Sequence, residues 1–133
     1  MSIWGRRLSI RSVAVISAIF LMTIGLAGAL MDQSAREIRL VARNMTFYLE
    51  ADPTTPNPVI NARPGETLRI VLVNRERGMA HDFAVPSLDA STEVLEWNEE
   101  DAVTFDVPRE PGTYVYVCRP HLLMMKGTLK VSR

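Results

Sequence analysis

After Met31 the chain reads as short apolar–polar alternations, broken every few residues by Pro, Gly, Asn or Asp. No long stretch there keeps a helical period, so the elements it predicts are short strands. "EIRLVARNMTFYL" (Glu37 to Leu49) alternates in part and contains one or two strands. "ADPTTPNPV" follows with its prolines and cannot lie inside a sheet. Pro64-Gly65-Glu66 is a turn feeding "TLRIVLVN", where Leu68, Ile70 and Leu72 face one side and Arg69, Val71 and Val73 the other. "HDFAVPSL" is a short strand ending at Pro86. "AVTFDVP" sets Val103, Phe105 and Val107 against Ala102, Thr104 and Asp106. "EPGTYVYVC" is a turn followed by a strand, with Val115 and Val117 on one face and Tyr114 and Tyr116 on the other. "GTLKV" is the final strand, and only Ser87 to Glu100 has room for a small helix.

Roughly six to eight strands with frequent turns predict an all-β fold, a Greek-key antiparallel β-sandwich. Its expected core is Val41, Phe47, Leu68, Ile70, Leu72, Phe83, Val85, Phe105, Val115, Val117 and Leu129. Each such side chain contributes roughly 1.5–3 kcal/mol when fully buried. That suffices for a domain of this size without disulfides.

The first 31 residues follow a different rule. Arg6, Arg7 and Arg11 precede an uncharged apolar run from Val13 to Met31, with Ala27-Gly28-Ala29 near its end. This is the pattern of an export signal. The run is also long enough to span a bilayer, so the segment is either a removed signal or an uncleaved anchor. Both readings keep the arginines inside and export the rest. The expected organisation is therefore signal or anchor over 1–31, a short linker over 32–36 and one domain over 37–133.

Charge excludes one class of partner. The chain has 15 basic and 15 acidic residues; setting aside the three N-terminal arginines leaves 12 against 15, about −3, with no basic patch suited to nucleic acid. Export makes the single cysteine, Cys118, conspicuous. Oxidising compartments favour disulfides, and one cysteine cannot form one within its own chain.

Its neighbours suggest why it is there. "CRPHLLMM" joins Cys118, His121, Met124 and Met125 in one loop between the last two strands, and the second histidine, His81, opens an earlier strand. A sandwich can bring both to one end. A thiolate and imidazoles suit copper or zinc, whereas magnesium and calcium want oxygen. A trigonal His2Cys plane with a distant Met is the arrangement of mononuclear blue-copper sites, and zinc rarely uses a thioether. A binuclear copper centre needs a second cysteine. A Cys–His nucleophile needs a third group to orient the base, and the motif offers none.

These residues carry a resemblance. From Glu37 to Arg133 the chain resembles the cupredoxins, the blue-copper family that includes azurin, plastocyanin and amicyanin. "CRPH" looks like the plastocyanin and amicyanin loop, and "HLLMMKGTL" is similar to azurin's ending. The resemblance implies one copper ion cycling between Cu(I) and Cu(II), held by His81, Cys118, His121 and Met125. Amicyanin's shorter spacing would select Met124 instead. "GMAHDF" resembles azurin's "MGHN", which implies a backbone carbonyl near the metal at Ala80.

Two positions depart from the family. Asp82 stands where Asn is usual, and Arg119 where Ser or Thr is usual; together they suggest a charged tie between the two ligand loops. Pro120, Leu122 and Leu123 surround the ligand whose edge reaches the surface in the family, and so mark a docking face for transient redox partners, donor and acceptor. The expected protein is a monomeric electron carrier without enzymatic activity, in a bacterial periplasm or on the outer face of the cytoplasmic membrane. It would touch membrane only through the N-terminal segment. Copper storage, delivery or resistance, or service as an accessory domain of a membrane redox complex, is the competing expectation.

Overall fold

The computed structural model describes residues 34–133; the expected export or anchor segment and the first two residues of the short linker lie outside the described residues. Nine strands form two sheets packed face to face. The first sheet has the order β2-β1-β4-β7, from β1 (Arg36–Arg43), β2 (Thr46–Leu49), β4 (Thr67–Asn74) and β7 (Glu100–Asp106). The second has the order β3-β9-β8-β5-β6, from β3 (Ile60–Ala62), β5 (Ala84–Val85), β6 (Ala90–Ser91), β8 (Gly112–Val117) and β9 (Lys126–Val131). Among the described residues no helix is long and apolar enough to cross a membrane.

The all-β expectation holds, but the sheets are mixed rather than antiparallel. β1 runs parallel to β4, with Leu40 opposite Leu72, and β3 runs parallel to β9, with Ile60 opposite Leu129. Alternation fixes which face of a strand is buried and carries no information about its direction. The stretch Ser87 to Glu100, the one with room for a small helix, holds no α-helix. Pro86–Leu88 makes one 3₁₀ turn, and β6 with an extended loop occupies the rest.

β4 reads as expected: Leu68, Ile70 and Leu72 are fully buried, with Val71 and Val73 covered on the opposite side. β1 is out of phase by one residue, since Leu40 and Ala42 are buried and Val41 is only half-buried. In β8 the expected faces are exchanged. Tyr116 is fully buried while Val115 is 50% exposed, and Val117 is covered from the other side of the sheet. Phe105 is half-buried against the core rather than within it.

Tyr116 faces inward because the interior satisfies its hydroxyl, which donates to the Pro58 carbonyl at 2.6 Å. Its ring stacks on Phe83 at 5.3 Å between centroids and meets the Phe47 edge at 5.5 Å. Aromatic pairs of this kind add about 0.5–1.5 kcal/mol beyond the area they bury. This cluster lies directly beneath Cys118, two residues further along the same face of the strand.

Candidate metal centre

Two loops meet at one end of the sandwich. The first runs from the end of β4 to Phe83 and is folded around Asn74, which is fully buried. The Asn74 amide donates to the Met79 carbonyl at 2.7 Å and to the Leu95 carbonyl at 2.9 Å, and its Oδ1 accepts the Glu76 N–H at 2.8 Å. Gly78 makes the reversal at φ +78°, a conformation that L side chains rarely adopt. His81 is then pinned by a two-way backbone bridge to Leu95, at 3.0 and 2.8 Å. Ala80, half-buried, directly precedes it.

The second loop caps the β8–β9 hairpin. The Cys118 N–H donates to the Met125 carbonyl at 2.9 Å and closes the circuit. Inside it, Pro120 starts the 3₁₀ turn Arg119–His121, where the missing N–H of proline costs nothing. The His121 N–H donates to the Cys118 carbonyl at 3.0 Å, and the His121 carbonyl accepts from both Met124 and Met125 at 3.0 Å. This winding turns Met125 fully inward and leaves Met124 61% exposed.

The expected donors His81, Cys118 and His121 are thereby brought together. Cys118 Sγ lies 3.6 Å from His81 Nδ1 and 3.5 Å from His121 Nδ1, and the three donor atoms fall within 4.8 Å of one another. Cys118 and His81 are fully buried; His121 is half-buried. Burial pushes the Cys118 thiol above its ordinary range. Burial likewise holds the His81 imidazole below its ordinary range, against the opposing pull of Glu76, which favours the neutral form that can ligate. One sulfur and two imidazole nitrogens, with no carboxylate oxygen among them, fit a soft or borderline transition ion.

Asp82 and Arg119 also meet. Asp82 is fully buried; its Oδ1 accepts the Arg119 backbone N–H at 2.7 Å, and its Oδ2 accepts from the guanidinium Nε. The guanidinium also donates to the Thr92 carbonyl at 3.2 Å. Pro120, Leu122 and Leu123 are all exposed, Leu123 by 92%. The sequence reading missed Glu76, whose Oε2 lies 3.0 Å from His81 Nε2. An acid five residues before a ligand histidine is the only signal that pointed to it.

Comparisons with known proteins follow this geometry. The profile of the copper-binding proteins described as the plastocyanin/azurin family matches residues 25–132. Azurin from Achromobacter denitrificans is 44% identical over 62 residues, covering 41% of this chain and 42% of that azurin, so the aligned part spans less than half of the relative. Among solved structures, auracyanin B is 25% identical with a TM-score of 0.58, covering 74% of this chain and 90% of its own. Dithionite-reduced auracyanin from Roseiflexus castenholzii shares the fold at 18% identity and a TM-score of 0.59, covering 75% of this chain and 99% of its own.

Proposed function

This chain belongs to the plastocyanin/azurin family of copper-binding proteins, and from that premise we propose that it is an exported blue-copper protein carrying single electrons between redox partners. The family binds one copper, and the cluster of His81, Cys118 and His121 fits a type 1 copper site. The observation that carries the electron-transfer reading is the convergence of these donors on one buried thiol, with the buried Met125 closing their loop.

His81 Nδ1, Cys118 Sγ and His121 Nδ1 would hold the copper in this reading, and the Met125 thioether would be the fourth donor. Its burial favours it over the exposed Met124. The Ala80 carbonyl, directly before His81, would be a further weak donor. Bound copper would supply a one-electron couple between Cu(I) and Cu(II). The chain's part is to hold the donors nearly still through that change, since little motion means a small barrier to transfer. The Asn74 network fixes one loop, and the Cys118–Met125 hydrogen bond together with Pro120 fixes the other.

A full donor set leaves no coordination position for a substrate, which supports a carrier rather than an enzyme. Pro120, Leu122 and Leu123 form the exposed surround of His121 at which a donor or acceptor would dock transiently. Export by the N-terminal segment would place the domain in the periplasm, or on the outer membrane face if the segment is retained. The deciding experiment is the visible spectrum of the full-length protein, purified without copper in mild detergent, before and after one equivalent of Cu(II). An intense thiolate-to-copper band, bleached by mild reductant and restored by oxidant, is expected. A colourless product would leave copper delivery or a structural domain as the function.

A further inference from the structure

The outer nitrogen of His81 faces a carboxylate, and that carboxylate is itself held in place. Glu76 Oε2 lies 3.0 Å from His81 Nε2 and accepts the Met45 backbone N–H at 2.8 Å. Met45 belongs to the two-residue connection between β1 and β2, where Arg43 pairs with Thr46. Asn44 and Met45 have φ of +51° and +56°, as a type I′ connection requires. Asn tolerates that region, whereas a long side chain such as Met is disfavoured there. The strained turn aims the Met45 N–H at Glu76, and the Met45 side chain packs against the core. From the other side, the Glu76 N–H donates to the buried Asn74 amide oxygen at 2.8 Å. The carboxylate is therefore held between the β1–β2 turn and the histidine, while its backbone is held by the end of β4.

We propose that Glu76 is a positioning residue for His81. It holds the Nε2–H tautomer, keeps the Nδ1 lone pair on Cys118, and places a negative charge behind the ring that favours the more highly charged metal. The inference rests on the copper reading above. Oε2 already accepts the Met45 N–H, and a carboxylate oxygen in that role accepts from the ring as well, so Nε2 is the donor and Nδ1 the free base. Such outer partners of ligand histidines orient the ring and raise its basicity, and their loss typically weakens metal binding about 10–100-fold. A side chain that merely closed its own loop would influence neither the tautomer nor the potential.

The test uses the full-length protein with Glu76→Gln and Glu76→Leu. Gln preserves an acceptor of the same length and removes the charge; Leu removes both. Imidazole 15N NMR of the metal-free protein should show His81 as a single Nε2–H tautomer in wild type and E76Q, and as a mixture or the reverse tautomer in E76L. Cu(II) affinity should fall about 10–100-fold in E76L and be largely restored in E76Q. The reduction potential of E76Q should rise, shifting the ratio of reduced to oxidised protein several-fold at a fixed solution potential. A wild-type tautomer and Cu(II) affinity in E76L, or a wild-type potential in E76Q, overturns the assignment. If E76L does not fold, the potential of E76Q decides alone. If the wild type binds no copper, the copper reading fails, and the tautomers of the metal-free proteins still decide the role of Glu76.

Discussion

Arg119 is tied to Asp82 twice, once through its backbone N–H at 2.7 Å and once through its guanidinium, although the carboxylate is fully buried and the arginine side chain is 50% exposed. The backbone bond joins the two ligand loops by itself. The guanidinium balances the charge that this bond leaves inside the protein. Arg119→Ala should therefore cost about 1–3 kcal/mol, because it strands a buried carboxylate. Asp82→Asn should cost less, about 0.5–1.5 kcal/mol, since an amide oxygen still accepts the Arg119 N–H. Urea denaturation of the metal-free proteins reads both. Wild-type stability of Arg119→Ala would mean that the guanidinium contributes nothing to the tie.

The two adjacent methionines should separate cleanly. Met125→Ala removes a fully buried side chain and should cost about 2–5 kcal/mol. It should also change the colour of the copper-loaded protein. Met124→Ala, at a position 61% exposed, should stay within about 0.5 kcal/mol of wild type and leave the spectrum alone. The reverse pattern in the spectra would make Met124 the thioether donor.

Gly127 is required by the tyrosine above it. A Cβ there would sit 2.1 Å from Tyr116 Cζ and 2.2 Å from its hydroxyl oxygen. The ring cannot withdraw, because Phe47 and Phe83 hold it and the hydroxyl is bonded to Pro58. Gly127→Ala should destabilise by about 1–3 kcal/mol or more. Tyr116→Leu in the same chain should restore part of the loss relative to its own background. Thermal unfolding of the four proteins gives the coupling.

Leu123 is nine-tenths exposed beside the proposed docking ligand. Leu123→Lys should leave the spectrum and the potential unchanged. It should slow bimolecular electron exchange between oxidised and reduced protein by about tenfold or more, through like-charge repulsion at the contact face. Unchanged exchange, followed by NMR line broadening, would move docking to another surface.

Asp52 supplies a pH dependence far from copper. Hydroxyl bonds from Thr54 and Thr55 hold its carboxyl down to about 2. Its folded-state value lies below the ordinary one of 3.8. The stabilisation is therefore complete above that ordinary value and is lost as pH falls from there toward 2. In urea titrations the wild type should weaken more steeply than Asp52→Asn across that window.

The sequence made the donors legible because their chemistry is rare. A lone thiol three residues before a histidine and followed by two methionines has few uses, and His81, Cys118 and His121 do converge. β4 was legible because Leu68, Ile70 and Leu72 recur at every second position and are buried as that period requires. β8 was misread because tyrosine was given the polar face. The parity of Cys118, a buried residue on the same face as Tyr116 and Tyr114, was the better guide. Glu76 was not legible: it sits in the charged run "NRER", and only the Met45 turn, 31 residues away, aims it at His81. Strand direction depends likewise on such long-range partners.

The last strand also sets an order of events in time. β9 lies inside its sheet, between β3 and β8, and without it β3 has no neighbour. A chain made from its N-terminus therefore cannot finish the second sheet, nor bring the Cys118 loop against His81, until β9 has emerged. Assembly of the centre is a late step of folding, governed by closure of distant segments rather than by local structure. Until then the thiol is an ordinary exposed cysteine, open to oxidants. The vulnerable period of this protein comes before its thiol is enclosed, and a chain slow to dock β9 would fail there.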